Sequence, residues 1–192
     1  NVSTEFRGAA AVFAGYVAST RVDHNTIHGT GYTAISMGWG WGGHVKGPQT
    51  FAHDNHVTGN HMSSIMQALN DGGCVYTLGP QKNSTVSGNY CSHDEAPVVG
   101  CFYHDNGSRY FRTTGNVAEG SPAPCVYLQG CCNAPAYDIY VADLWCKGTA
   151  SPRNGCAAEN CVIDESSLHT VGATAPWPAE AMSIIKAAGW TA

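Results

Sequence analysis

A short segment built around an asparagine recurs along this chain at a nearly constant interval. From Asn60 it returns at Asn89, at Asn116 and, in degraded form, around Asp143, at separations of 29, 27 and 27 residues. An earlier copy surrounds Asn25. A period in the twenties is typical of a solenoid, in which each turn of the chain lies on the previous one. The repeat therefore predicts stacked coils of similar length.

The composition indicates that these coils are built from strands. Glycine is abundant, at 23 residues, and helical periodicity is absent until the end of the chain. A second element recurs between the asparagine segments, as "GCVYTLG" at 73–79, "GCFYHDNG" at 100–107 and "PCVYLQG" at 124–130, with "AISMGWG" at 34–40 as an earlier relative. Short apolar runs broken by Gly and Asn predict strands. The fold class is therefore predicted to be all-β, a β-solenoid.

Stacking places equivalent residues of successive coils next to each other, at the strand spacing of roughly 4.8 Å. Four asparagines are then predicted to form a ladder in which each amide satisfies the next. The members of this ladder are Asn25, Asn60, Asn89 and Asn116.

The second element predicts which side chains face the core, because side chains alternate along a strand. In each copy we place the residue that directly follows the cysteine inward, namely Val75, Phe102 and Val126. Their neighbours then point outward on one face, as a stack of Tyr76, Tyr103 and Tyr127. The opposite assignment stays open, and it would bury the tyrosines and expose the aliphatic residues.

The nine cysteines all lie in the last two thirds of the chain, without a CxxC pair or a Cys/His spacing that indicates zinc. Three of them stack in the coils and are expected to behave as buried hydrophobes: Cys74, Cys101 and Cys125. Disulfides are expected in the later, crowded set of Cys131, Cys132, Cys146, Cys156 and Cys161. The odd number leaves at least one thiol free or paired with another chain. No metal or other cofactor is predicted.

The chain is predicted to be secreted and glycosylated. Sequons occur at Asn1, Asn83 and Asn106, and disulfides fit an extracellular protein. A net charge of −5 with only nine Lys and Arg residues argues against a nucleic-acid partner. The longest apolar run, at 8–18, is too short for membrane insertion.

The two ends of the chain differ. Residues 1–175 are predicted to form the coils of a single domain, and 176–192 a capping helix and tail lying over the last coil. Pro178 suits the first helical turn and Gly189 the stop, with apolar Ala181, Met182, Ile185 and Ala188 on one side. No comparable cap precedes the first coil, so self-association through that coil is a further prediction.

Several segments together resemble a known family. "AAVFAGYV", "HNTIHGTGYTAISMGWGWG", "LNDGGCVYTLGPQ", "VGCFYHDNGSRYFRTTGNV" and "PWPAEAMSIIKAAG" are similar, in this order, to the C-terminal coils and terminal helix of right-handed parallel β-helix proteins of glycoside hydrolase family 141. Members of the family are much longer than this chain. The resemblance implies a secreted, carbohydrate-active enzyme of the fucosidase or xylanase type, with a cleft along one face of the solenoid.

The same resemblance implies two catalytic acids, Asp71 in "LNDGGCVY" and Asp105 in "FYHDNGSRY". Glycoside hydrolysis requires such a pair, one carboxyl group to protonate the leaving oxygen and one to attack or to activate water. Straight strands would hold the two apart, and a bend at Gly72 and Gly73 is needed to bring them together. Alternatively, Asp71 is only a turn residue. The family commonly has an acidic residue at Asn106, where this chain has a sequon.

Aromatic residues are candidates for contacts to sugar rings. The predicted substrate-binding residues are Trp39, Trp41, Tyr76, Tyr103, His104 and Tyr127. Trp39 and Trp41 lie in "ISMGWGWGG", where glycines allow a tight path that projects both rings. Alternatively, the two tryptophans cover gaps between coils.

The sequence leaves three functions open. The first is a glycoside hydrolase, active or formerly active, that cleaves fucosyl- or xylan-type linkages with Asp71 and Asp105. The second is a structural β-solenoid glycoprotein that stacks into a filament or larger assembly. The third is a carbohydrate-binding module that has lost turnover.

Overall fold

The computed structural model describes residues 5–40, 51–92, 99–120, 122–132 and 134–190, and they form a β-solenoid of about five turns. The strands, in chain order, are β1 (Val12–Ala14), β2 (Arg21–Asp23), β3 (Thr26–His28), β4 (Ile35–Met37), β5 (His56–Thr58), β6 (His61–Ser63), β7 (Val75–Thr77), β8 (Pro80–Ser87), β9 (Tyr90–Ser92), β10 (Phe102–His104), β11 (Arg109–Glu119), β12 (Val126–Leu128), β13 (Tyr140–Lys147), β14 (Arg153–Asn154), β15 (Val162–Ile163) and β16 (Leu168–Val171). Each turn of the solenoid contributes one strand to a front sheet, ordered β1-β4-β7-β10-β12-β14. The other strands form a second sheet that bends at a corner, with every pairing parallel. The predicted fold class is confirmed.

The corner of the second sheet is built by the predicted asparagine ladder. The Asn60 side-chain oxygen accepts from the backbone N–H and from the amide of Asn25, both at 2.9 Å. Asn89 repeats this contact to Asn60, and Asn116 repeats it to Asn89, at 2.9–3.0 Å. The ladder is therefore confirmed for all four asparagines.

The sequence pattern indicated Asp143 as the copy of the asparagine position in the fifth coil, but the structure places the neighbouring residue there. Leu144 pairs with Asn116 and takes the ladder position in the fifth coil. Asp143 instead has a φ of 52° and occupies the left-handed position that Gly88 and Gly115 occupy one residue before their asparagines. Asp143 therefore forms the same turn as the glycines, because aspartate tolerates this conformation. The ladder of asparagine side chains does not continue into this coil.

The core lies between the two sheets, and the predicted inward residues of the front sheet line it. Val75, Phe102 and Val126 are 0–1% exposed and belong to one apolar cluster. The predicted orientation of the front-sheet strands is therefore confirmed, with the tyrosines on the outer side.

The cysteines depart in part from the prediction. Two of the three stacked cysteines are not free hydrophobes, since disulfides join Cys74 to Cys91 and Cys125 to Cys146 across the core. Cys74 and Cys125 face Cys91 and Cys146 across the core, so the sulfur atoms of each pair are close enough to bond. The third, Cys101, is a buried free thiol as expected. The predicted disulfides in the late set are present as Cys131–Cys132 and Cys156–Cys161.

The C-terminal helix, α1 (Ala179–Ala187), follows Pro178 as predicted. It does not lie over the last coil. It runs along the corner side of the solenoid against β11, and the Gly189 N–H donates to the Gly59 carbonyl in the second coil at 2.7 Å. The helix takes this place because Val117 of β11 points away from the core and is nevertheless fully buried. An apolar outward residue needs such a cover.

Two findings bear on the environment of the protein. Four disulfides are compatible with a secreted protein. Within the described part of the chain, the helix α1 is far too short to cross a bilayer, and no other helix qualifies.

Candidate functional site

The outer side of the front sheet carries one column of aligned residues. Register places Phe13, Ser36, Tyr76, Tyr103, Tyr127 and Arg153 one above the other. Aromatic rings occupy most positions of this column, but Ser36 interrupts it between Phe13 and Tyr76. The small side chain leaves space above the sheet at that level.

The three tyrosines point outward but are not exposed. Tyr76, Tyr103 and Tyr127 are 3%, 2% and 7% accessible. Their ring centroids are 5.2–5.3 Å apart in successive coils, and Leu78 and Val99 pack against them. The prediction that they offer open, flat faces to a sugar is therefore wrong, because each ring is covered by its neighbour.

The hydroxyl groups of two tyrosines converge on Asp105. Asp105 is 3% exposed, and its two carboxylate oxygens accept from the Tyr76 hydroxyl at 2.6 Å and from the Tyr103 hydroxyl at 2.9 Å. Burial, followed by the charge of Asp105, raises the pKa of Tyr76 and of Tyr103 above the ordinary value for tyrosine. Both hydroxyls therefore stay protonated and donate to the carboxylate.

Asp71 lies beside this group at the edge of the face. It has a φ of 65° and precedes two glycines that allow close packing. A Cβ at Gly73 would lie 2.0 Å from the Gly100 carbonyl oxygen, and one at Gly72 would lie 2.6 Å from Thr33. The Tyr32 hydroxyl donates to the Asp71 carbonyl at 2.9 Å. Asp71 is therefore a turn residue.

The charge of Asp105 affects the titration of Asp71. Partial burial of the Asp71 carboxyl group raises its pKa most, the negative charge of Asp105 raises it further, and the nearby Tyr103 hydroxyl opposes the rise. Asp71 is exposed while Asp105 is buried. The pair thus consists of one solvent-facing carboxyl group that holds its proton more tightly than usual and one buried carboxyl group whose oxygens accept hydrogen bonds from two tyrosine hydroxyls.

Gln129 belongs to the same network, and the sequence reading missed it. Its amide donates to the Tyr103 hydroxyl at 3.2 Å, and its side-chain oxygen accepts from the Tyr127 hydroxyl at 2.8 Å. The only available signal was its position, because it directly follows β12 as Asp105 directly follows β10. Tyr32 was also missed, because its hydroxyl donates to the carbonyl of Asp71, which lies 39 residues away in the sequence.

A pocket of about 460 Å³ opens above Ser36, next to Tyr76. Phe13 and Trp39 form one wall with their rings edge to face, 5.6 Å between centroids. Trp39 is 46% exposed. The pocket is lined by Gly8, Ala9, Ala10, Phe13, Tyr32, Ser36, Trp39, Tyr76 and Leu78. Trp41 lies outside the described residues.

His104 does not take part in this site, contrary to the prediction. It follows Tyr103 and therefore points inward, where it is 1% exposed. Its two ring nitrogens lie 2.8 Å from the hydroxyl oxygens of Thr77 and Thr113. Burial lowers the pKa of His104 to about 3, which keeps the ring neutral. No ligand on the outer face can reach it.

The predicted glycosylation sites lie in different surroundings. Asn83 is exposed on β8. Asn106 is half-buried directly after Asp105, and its side-chain oxygen is buried without a hydrogen-bond partner. Asn1 lies outside the described residues. The described residues contain no cluster of three or more His, Cys, Asp or Glu side chains that could hold a metal ion.

Comparisons with known proteins support the fold. A solved structure described as "Glycoside hydrolase" superposes with a TM-score of 0.54 at 24% sequence identity, over 97% of this chain and 25% of that chain. This chain therefore corresponds to about a quarter of that protein's length. No protein-family model matches the sequence, and no curated protein does so either.

Proposed function

We propose that this chain is a carbohydrate-active protein of the glycoside hydrolase type, and that Asp71 and Asp105 are its carboxylate pair. Fucosyl- and xylan-type linkages are the substrates that we propose, from the sequence resemblance. The solved structure that shares the solenoid is described as a glycoside hydrolase. A shared fold does not establish an activity, so the proposal depends on the site.

The observation that carries the proposal is the contrast between the two carboxyl groups. The raised pKa of Asp71 suits a general acid, which must hold a proton until the leaving oxygen takes it. Asp105 is the proposed base or nucleophile, and its two carboxyl oxygens accept hydrogen bonds from the Tyr76 and Tyr103 hydroxyls. Both Asp105 oxygens are engaged, so substrate reaches Asp105 only when one tyrosine side chain moves.

The pocket beside Tyr76 is the proposed place for a sugar ring. The Trp39 ring, which lines this pocket, offers an apolar surface of the kind that packs on the C–H groups of a pyranose. The Ser36 side chain in the floor of the pocket supplies a hydroxyl for orientation. Trp41, two residues beyond Trp39, remains a proposed contact from the sequence.

The test compares sugar release by Asp71→Asn and Asp105→Asn with release by the parent chain, on fucosylated and xylan-type oligosaccharides. We expect each variant to lose at least about 10³-fold in kcat, while Asp71→Asn still binds the oligosaccharide. The parent kcat should fall as pH rises through the pKa of Asp71, because the acid must be protonated. Glu165→Gln, an exposed carboxyl change in the last coil, is the matched control. Unchanged release in Asp71→Asn contradicts the assignment.

Glycosylation of a secreted chain at Asn1, Asn83 and Asn106 remains part of the proposal. A glycan on Asn106 would stand directly beside Asp105 and hinder substrate entry. Intact mass and glycopeptide mapping of natively produced protein decide the matter. A fully occupied Asn106 argues against hydrolysis, and a bare Asn106 keeps it.

One observation favours a second function, a structural solenoid that assembles with copies of itself. Phe13 and Tyr16, both on the coil that contains β1, are more than half exposed. Neighbouring exposed apolar side chains are prone to pack against another chain. Sedimentation velocity and electron microscopy separate the two functions, since filaments support assembly and monomers support the enzyme.

A further inference from the structure

One disulfide differs from the other three in its exposure. Cys131 and Cys132 are adjacent in the chain, bonded to each other, and both exposed. The cysteines of the remaining disulfides are at most 4% accessible: Cys74, Cys91, Cys125, Cys146, Cys156 and Cys161. Exchange requires a thiolate to reach a sulfur atom, so the Cys131–Cys132 bond is the one that an external thiol can attack in the folded protein.

This disulfide borders the hydrogen bonds of Gln129. The Gln129 side-chain oxygen accepts from the backbone N–H of Gly130 at 2.9 Å and of Cys131 at 3.2 Å. The same side chain donates to the Tyr103 hydroxyl, which in turn donates to Asp105. The backbone at the disulfide therefore helps to orient the amide that holds Tyr103.

The closed disulfide restricts the backbone at this place. A bond between neighbouring cysteines closes a small ring that includes the peptide group joining them. Cys132 lies in the left-handed region with a φ of 69°, which costs free energy for a residue other than glycine. Opening the ring frees Cys132 to leave this conformation, and the N–H groups that bind Gln129 are its close neighbours.

We propose that Cys131–Cys132 is a reversible thiol-exchange site, and that its reduction loosens the hold of Gln129 on Tyr103. A dithiol is the co-reactant. One thiolate of the dithiol attacks a cystine sulfur and forms a mixed disulfide, and the second thiolate resolves it. The dithiol loses two electrons and becomes a cyclic disulfide, while Cys131 and Cys132 gain the electrons and take up two protons as thiols.

The chain itself does not supply the attacking thiolate. Its one free thiol, Cys101, is fully buried, and burial raises the pKa of Cys101 to about 12. A protonated thiol in the core is unreactive and remote from solvent. The redox state of the site therefore follows the external dithiol.

The consequence for turnover rests on the proposed function. When Gln129 is loosened, Tyr103 loses the donor that orients its hydroxyl toward Asp105. We expect the reduced protein to release sugar more slowly than the oxidised protein, and the change to reverse when the disulfide forms again.

The first experiment needs no sugar substrate. The native protein is titrated with dithiothreitol, labelled with iodoacetamide and mapped by peptide mass. Labelling of Cys131 and Cys132 at dithiol concentrations that leave the other six disulfide cysteines unlabelled is the expected result. Labelling that begins at another pair, or only when the chain unfolds, overturns the proposal.

The second experiment follows the amide N–H groups of Gly130 and Cys131 by hydrogen exchange. We expect exchange at least about 10-fold faster after reduction, as for the loss of one hydrogen bond. The double variant Cys131→Ser, Cys132→Ser should show the fast rates without reductant and should not respond to it. Equal rates in the oxidised, reduced and double-variant proteins refute the link to Gln129. Failure of sugar release with intact redox responses would instead refute the proposed function alone.

Discussion

The asparagine corner and the tyrosine face both arise from the coil repeat, but they differ in where their polar groups bond. At the corner, each amide bonds to the next copy of the same residue, so Asn60, Asn89 and Asn116 repeat one contact. On the tyrosine face, the hydroxyls of Tyr76 and Tyr103 bond to Asp105, which occurs in one coil only. A repeated residue with repeated partners maintains the solenoid, whereas repeated residues that converge on a unique partner mark a site.

The largest expected effect breaks the corner. In Asn89→Ala, the buried N–H of Asn60 loses its acceptor, and the carbonyl of Val57 loses the side-chain donor at 2.9 Å, while the Asn60 amide keeps its bonds to backbone carbonyls. We expect the free energy of unfolding to fall by about 4 kcal/mol, because each buried unpaired group costs about 1–3 kcal/mol. Denaturant unfolding measures the change.

Asn25→Ala is the matched control for this prediction. Asn25 is exposed at the end of the ladder, so its loss should lower the free energy of unfolding by less than about 1 kcal/mol. Equal losses in the two variants would mean that the ladder is not cooperative along the coils.

The second effect concerns His104, on the same strand as Tyr103 but facing inward. Burial holds the pKa of His104 at about 3, below its unfolded value of 6.5. As pH falls below 6.5, the unfolded chain binds a proton that the folded chain refuses, so stability is complete above this pH and is lost toward pH 3. We expect this group to cost about 2 kcal/mol between pH 8 and pH 5.

Unfolding curves of the parent and of His104→Gln across this pH range check the prediction. The other histidines are common to both chains, so the difference in slope isolates His104. Parallel pH profiles would show that the ring accepts a proton in the folded protein.

The third effect tests the tyrosine face directly. Tyr103→Phe removes the donor to Asp105 and the acceptor of the Gln129 amide, both buried or nearly so. We expect a loss of about 1.5 kcal/mol in unfolding free energy. The pKa of Asp71 should rise, because the nearby Tyr103 hydroxyl lowers it. NMR titration of the Asp71 carboxyl carbon follows this shift.

Tyr140→Phe is the control for the tyrosine face. The Tyr140 hydroxyl makes one longer hydrogen bond, of 3.3 Å, to Asp164 on the second sheet. This variant should change neither stability nor the Asp71 titration by a measurable amount. A comparable loss in both variants would contradict the view that the tyrosine face has a special network.

The smallest effect has the opposite sign. The folded-state pKa of Asp71 is raised, so this group favours folding below its unfolded pKa, and the contribution is lost as pH rises through the folded pKa. Asp71→Asn should therefore stabilise the protein at neutral pH, by less than about 1 kcal/mol because Asp71 is exposed, and should have no such effect in acid. Thermal unfolding at both pH values, with Asp143→Asn as control, measures it. Destabilisation at neutral pH would contradict the repulsion from Asp105.

The repeat made the ladder predictable, because a period and a spacing specify which residues become neighbours. It also predicted that Val75 and Phe102 share one side of the sheet, although both assignments of that side to the core stayed open. The disulfide partners of Cys74 and Cys125 were not predictable from the repeat. They depend on the distance across the core, which local patterns do not contain.

The residues of the candidate site also divide into those that the sequence predicted and those that it did not. Asp71 and Asp105 were found from their motifs, but the surroundings of Asp71 depend on its left-handed turn and on the glycines after it. Gln129 had no motif, and the strand parity alone would have removed His104 from the list of binding residues. Sequence patterns identify reactive residue types, whereas orientation and burial decide which of them a ligand can meet.

The sequence by itself determined the coils, the ladder and which front-strand residues share one side of the sheet, because these follow from spacing along one chain. Only the tertiary structure decided that the tyrosines are covered, that Asp105 is held by two hydroxyls, and that the helix lies along the corner. These features join residues far apart in sequence whose partners do not repeat. Their energies come from burial and hydrogen bonding between coils, which no single repeat encodes.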